Sequence, residues 1–292
     1  MMTLHRRQKT VLRAFMFAAT AVAVTWAGAA VAGTLDRLRD SKTIRIAYRE
    51  DAPPFSYKGS DGQPTGFMVD LCRMVVQRIS QQLNMPDLAP VFVKVTASDR
   101  FEAVQKGRAD LLCEATTATL ARREIVDFSI PTFVDGASLM IHAGGPDDLK
   151  SMAGKKIGVL GGTTTEEALR HTLSRASIQA EIVLARNHDE GIAMLDEDKV
   201  AAYFADRAIL AYLVRSSKAP GKLLLAEQYL TVEPYALALE KGDSDFRLLV
   251  DRTLSRIYRT GEIMPLFRGV FGAEVKPSAI LQNLFLTAGL PE

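Results

Sequence analysis

Residues 115–131 read ATTATLARREIVDFSIP. Two adjacent hydroxyl residues, Thr116 and Thr117, are followed by Arg122, and the stretch closes on Val126-Asp127-Phe128-Ser129. Short hydroxyl side chains ahead of a helical turn offer hydrogen bonds and backbone N–H groups. An arginine a few residues on can lay a planar fork over the same spot. The stretch is therefore chemically suited to holding a carboxylate. The plainer alternative for Arg122 is a surface arginine on the helix after a strand, with Arg123 beside it.

Working outward, the chain alternates strand and helix. Upstream, 42–48 (KTIRIAY) alternates as a strand, and 67–83 carries Val69, Leu71, Cys72, Val75, Val76, Ile79 and Leu83 at helical spacing. A strand at 91–95, a short helix at 99–106 capped by Ser98 or Asp99, and a strand at 109–113 complete the first series. A second series begins with a strand at 138–142 and a short helix at 148–152. A strand at 156–160 leads into Gly161-Gly162-Thr163-Thr164-Thr165, which opens a helix to about residue 175. Then come a strand at 181–185, a helix at 189–195, a strand at 200–205 ending at Asp206, and a helix at 207–214. A strand at 235–239 and closing helices at 243–260 and 262–271 follow. The pattern predicts an α/β fold with parallel strands in two lobes, the chain crossing near 138–142 and again near 233–239. The last helices would return to the first lobe. A ligand would then lie between the lobes, beside strand ends and helix N-termini.

The first 32 residues read as a secretory signal: a basic n-region with Arg6, Arg7, Lys9 and Arg13, an apolar run over 14–29, and the small-x-small site Ala30-Val31-Ala32. An uncleaved anchor is the alternative. Cleavage would remove four of 36 basic residues and none of the 34 acidic ones, leaving 32 against 34, so the remaining 260 residues are slightly acidic. No basic patch argues for nucleic acid. Cys72 and Cys113 permit one disulfide in an exported chain, or two buried thiols. The four histidines are scattered, and no nucleophile-elbow, metalloprotease or nucleotide-loop motif occurs, so no metal, cofactor or catalytic set is expected.

Several residues could carry binding chemistry. The glycine–hydroxyl junction at 161–166 can bind an anion through backbone N–H groups, or simply start a helix. Asp206, at a strand's C-terminal end, can pair with an ammonium group or cap the helix that follows. His188 could donate to a carboxylate or sit in an exposed loop. Arg49, Glu50 and Asp51 end the first strand. Arg100 opens a helix, where a cation opposes the dipole unless an anion is near. Glu114 is expected to cap a strand and face solvent.

Taken together, Pro53-Pro54-Phe55-Ser56-Tyr57, Gly66-Phe67-x-Val69-Asp70, Arg100 with Gly107-x-Ala109-Asp110, Thr116-Thr117 to Arg122, Val126-Asp127-Phe128-Ser129, Gly162-Thr163-Thr164 and Ala205-Asp206 resemble the family-3 periplasmic solute-binding proteins over nearly all of residues 34–272. Within that family, Tyr48-Arg49-Glu50, Asp99-Arg100, Cys113 before Thr116-Thr117, and Asn187-His188-Asp189 are similar to the glutamate/aspartate-binding members. The resemblance implies a periplasmic-binding-protein-like (type II) fold, with one lobe from 33–138 and 238–292 and the other from 139–237. It also implies a monomeric periplasmic protein that delivers an amino acid to an inner-membrane ABC transporter permease. Arg122, Thr117 and Thr163 would hold the α-carboxylate, Asp206 the ammonium, and Arg49, Arg100 and His188 an acidic side chain. Ala97, Ala115 and Leu160 stand where that pattern has hydroxyl residues, and Ala236 replaces a cysteine that would partner Cys113. Some exported cyclohexadienyl dehydratases share the scaffold. That makes an enzyme the alternative, with Glu114 as a conceivable acid.

Overall fold

A computed structural model describes residues 33–145 and 147–292. The expected signal segment lies outside the described residues. In chain order the elements are α1 (Thr34–Ser41), β1 (Thr43–Arg49), β2 (Asp51–Ala52), β3 (Ser56–Lys58), β4 (Pro64–Thr65), α2 (Phe67–Gln82), β5 (Ala89–Val95), α3 (Arg100–Gln105), β6 (Leu111–Leu112), α4 (Leu120–Arg123) and β7 (Asp127–Asp135). There follow β8 (Ala137–His142), β9 (Lys156–Leu160), α5 (Thr164–Arg175), β10 (Glu181–Ala185), α6 (His188–Asp196), β11 (Ala202–Asp206), α7 (Arg207–Leu213), β12 (Leu223–Leu225), β13 (Glu233–Leu239), α8 (Ser244–Arg259), α9 (Ile263–Phe271) and α10 (Ala279–Ala288).

Two five-stranded sheets organise the chain, in orders β5-β1-β6-β13-β7 and β10-β9-β11-β8-β12, with a small β2-β3-β4 sheet beside the first. The sheets are mixed rather than wholly parallel. β1 runs parallel to β5 and β6, and β9 to β10 and β11. β13 is antiparallel to β6 and β7, and β8 to β11 and β12. The reason lies in the crossings. β7 passes through Gly136 directly into β8 of the other sheet, and β13 returns beside β7 with Glu233 opposite Asp135. Sheet membership thus puts Ala137 and Ser138 in the second sheet and residues 233–237 in the first, a few residues from the expected boundaries.

Local rules account for the elements near the site. β1 has strands on both sides, so Ile44, Ile46, Ala47 and Tyr48 are all buried. α2 buries Val69, Leu71, Cys72, Val75, Val76 and Ile79 as its spacing predicts. It starts at Gly66, whose φ is 115° and where a Cβ would lie 2.6 Å from the Phe55 carbonyl, so no other residue fits without moving backbone. Phe55, Phe67, Phe133, Tyr235 and Phe271 pack edge-on or stacked behind it. A disulfide joins Cys72 of α2 to Cys113, just after β6. α8 and α10 contact β7, and α8 and α9 contact α2, so the closing helices do return to the first sheet.

Candidate ligand-binding site

The strands and helix starts converge on a group of buried charges. Arg49 ends β1, and its Nε and Nη2 donate to the two carboxylate oxygens of Asp51 at 2.9 and 2.7 Å. Its Nη1 lies 3.6 Å from Glu114 Oε2. Burial alone would lower the Arg49 pKa, but Asp51 and Glu114 outweigh it and hold it above its ordinary value. Arg100, 2% exposed, sits with Nε 3.4 Å from Glu114 Oε1 and Nη2 3.5 Å from the Gly162 carbonyl. Its Nε and Nη1 are buried without a hydrogen-bond acceptor. Burial, with Arg122 and Arg49 nearby, pulls Arg100 down to about 10 against the pull of Glu114. It remains a cation at neutral pH.

Arg122 is drawn inward rather than left on the surface. Its Nη1 donates to the Thr117 carbonyl at 2.8 Å, and its guanidinium lies 5.0 Å from the Phe101 ring centre. The Arg100 guanidinium lies at the same distance from that ring. An aromatic face can hold a cation without neutralising it, leaving its charge available to a ligand. The Thr119 hydroxyl caps α4 by accepting from the Arg122 N–H, which fixes the turn that aims the side chain.

At the other end of the group, carboxylates gather. Glu233, opposite Asp135 in the β13–β7 pair, accepts from the Thr117 hydroxyl at 2.6 Å and the Thr164 hydroxyl at 3.0 Å. The second bond ties the start of α5 to the first sheet. Asp206 ends β11 at the start of α7, and its Oδ1 is buried without a donor. Burial, then Asp135 and Glu233, push its pKa well above the ordinary range. Burial likewise raises Asp135 to about 6, although it accepts from the Ala208 N–H at 3.0 Å. A buried cation supplied at Asp206 would relieve all three carboxylates.

Two expected residues are placed differently from their assigned roles. The Thr163 hydroxyl donates to the Leu160 carbonyl at 2.7 Å and accepts from the Glu166 N–H, so it caps α5. Thr164 is the hydroxyl that reaches across to Thr117 and Glu233. His188 is buried, with its N–H donating to Asp51 at 3.2 Å and its Nδ1 2.9 Å from the Tyr203 hydroxyl. Burial, reinforced by Arg49, lowers its pKa to about 3, so it is neutral at physiological pH and adds no third cation. Gly191 permits this contact, since a Cβ there would come within 2.2 Å of the Tyr203 ring. Glu114 is the clearest correction. It is 0% exposed and lies between Arg49 and Arg100, with Thr116 donating to it, rather than facing solvent. Sequence reading missed Thr164, Glu233 and Phe101. Thr164 and Glu233 have partners distant in sequence, and the signals available were the adjacency of Thr164 to Thr163 and of Phe101 to Arg100.

Among the described residues no group of His, Cys, Asp and Glu could hold a metal, and no helix is long and apolar enough to cross a membrane. The arrangement suits a small zwitterion: cations and an aromatic face on one side, and a carboxylate with one buried oxygen lacking a donor on the other.

Comparison with known proteins agrees with that chemistry. The L-glutamate/L-aspartate-binding protein of Pseudomonas aeruginosa is 29% identical over 253 residues, covering 86% of this chain and 84% of that protein. The glutamate/aspartate import solute-binding protein of Salmonella typhimurium is 29% identical over 262 residues, covering 89% and 87%. A solved structure of an ancestral amino acid-binding protein, a precursor of cyclohexadienyl dehydratase, superposes with a TM-score of 0.72 at 26% identity, covering 82% of this chain and 99% of that one. The profile of the bacterial extracellular solute-binding proteins, family 3, matches residues 44–273, and the chain belongs to that family.

Proposed function

We propose that this protein is the amino-acid receptor of an ABC importer, binding an L-amino acid with an acidic or other polar side chain between its two sheets. The observation that carries the reading is the separation of buried charge. Arg100 and Arg122 lie side by side over Phe101, and Asp206, with a buried oxygen lacking a donor, lies near enough to act on both. An α-amino acid carries the complementary pair on one carbon. Arg122 and Thr117 take the α-carboxylate, Asp206 takes the ammonium, and the side chain points toward Arg49, Arg100 and His188. The relatives named for glutamate and aspartate support this ligand class.

Binding is coupled to closure because both sheets supply contacts. The Thr164 hydroxyl with Glu233, the Gly162 carbonyl with Arg100, and the His188 N–H with Asp51 already bring the second sheet's segments onto the first. A ligand touching both favours the closed form, which is the state a permease would read. The protein works as a monomer in the periplasm and catalyses no reaction. Calorimetry of the 33–292 chain against the twenty L-amino acids tests the reading. Saturable binding of at least one polar or acidic member is expected, and no heat with any of them would sink it.

A dehydratase is the second reading, and the burial of Glu114 is what favours it, since a carboxyl in a closed cleft can act as an acid. Incubation with prephenate or arogenate should leave both unchanged. Rapid appearance of aromatic product would favour the enzyme.

A further inference from the structure

We infer that Glu114 sets the specificity of the side-chain end of the site, turning it from a carboxylate subsite into one that prefers an uncharged carboxamide. The inference rests on the reading that an amino acid binds between the sheets, and it names the side-chain class.

Protein charges at the side-chain end already balance. Two guanidinium groups are present, Arg49 and Arg100, and both lie against carboxylates. Asp51 takes two donors of Arg49, and Glu114 lies 3.6 Å from Arg49 Nη1 and 3.4 Å from Arg100 Nε. His188, buried and bonded to Tyr203, brings no charge. The two cations and two carboxylates balance. Arg122 is committed to the α-carboxylate, so no surplus cation remains for a second carboxylate. A ligand carboxylate would be buried beside Glu114 as an uncompensated like charge.

The hydrogen-bonding demand is independent of that count and points the same way. Buried atoms of opposite polarity lack a hydrogen bond here: Arg100 Nε and Nη1, which are donors, and Glu114 Oε2, an acceptor whose one ion-pair contact is the long 3.6 Å approach of Arg49 Nη1. A carboxamide answers both, its oxygen accepting from Arg100 and its NH2 donating to Glu114. A carboxylate answers only the first. Sites that supply both a donor and an acceptor discriminate strongly against a ligand that lacks one of the pair.

Calorimetry of the wild-type chain with L-glutamine, L-asparagine, L-glutamate and L-aspartate at one pH tests the inference, alongside Glu114→Gln with its melting temperature checked. The wild type should bind an amide at least tenfold tighter than the matching acid. Glu114→Gln should shift that ratio toward the acid by at least tenfold. A wild type that prefers the acid overturns the inference while leaving amino-acid binding intact. So does a folded Glu114→Gln with an unchanged ratio. A wild type that binds no amino acid at all overturns both.

Discussion

Two groups of buried charge, one around Arg49 and Arg100 and one around Asp206 and Glu233, are met differently. At the arginine end, Arg49 and Arg100 meet carboxylates of the protein's own, Asp51 and Glu114, at ion-pair distance. At the carboxylate end, Glu233 is met by hydroxyls and Asp135 by a backbone N–H, while an oxygen of Asp206 has no donor. A buried charge paired from within costs less than one left unpaired, so an unpaired one marks a place for a partner of opposite sign. The difference supports the proposed seat of the ammonium at Asp206 more strongly than the proposed role of Arg49. Arg122, cradled by Phe101 and the Thr117 carbonyl, belongs with the unbalanced set although it lies at the arginine end.

The sharpest way to break this comparison is to remove one unbalanced charge at each end. Arg122→Ala and Asp206→Asn should each weaken amino-acid binding by about 2–5 kcal/mol, the range for losing one partner of a buried charge pair. Titration calorimetry reads this directly, and a variant that binds like wild type shows that its residue lies outside the site.

The disulfide sharpens the arginine end. Cys113 adjoins Glu114, and the bridge spans a separation of 41 residues to α2. Loop entropy puts its contribution at roughly 4 kcal/mol. Cys72→Ser with Cys113→Ser should therefore lower the denaturant midpoint clearly, and an unchanged midpoint would show that α2 and β6 hold that end unaided.

A smaller effect belongs to the tie between the ends. Thr164→Val removes the hydroxyl shared by Thr117 and Glu233. Hydrogen bonds to charged groups are worth about 1.5–3 kcal/mol, so ligand should dissociate faster by about tenfold in stopped-flow traces. Unaltered kinetics would mean the contact plays no part in closure.

The buried titratable groups supply a pH test. His188 has a folded pKa of about 3 against about 6.5 unfolded. The unfolded chain therefore takes up the proton first, and stability falls as pH drops from about 6.5 toward 3. Asp135 works oppositely: raised to about 6 from about 4, it costs stability as pH rises through that interval. His188→Gln should leave the second trend alone, so its melting temperature should fall less than wild type between pH 6.5 and 4. Parallel curves would contradict the neutral, buried state of His188.

Much of the fold was legible because periodicity and burial agree. β9 and β10 match their predicted ranges, and α2 ends one residue early. β7 went unread because Pro131 interrupts it. The strand tolerates proline because it lies at the sheet's edge beside β13 alone. α1, α10 and β12 were also missed, being short or lying outside the repeating pattern. At the site, Arg122, Thr117, Arg100 and Asp206 could be named from local chemistry. The Thr163–Thr164 distinction could not, because which hydroxyl caps α5 depends on a rotation about one residue. Glu114 looked like a solvent-facing cap, since nothing nearby in sequence says that two arginines, from β1 and α3, close over it.

The most direct measurement is a crystal structure of the chain with the best-binding amino acid. The account predicts the α-carboxylate within about 3 Å of the Arg122 guanidinium and the ammonium at the same distance from Asp206. A ligand seated elsewhere, such as the surface cavity between Tyr57 and Tyr212, would contradict it.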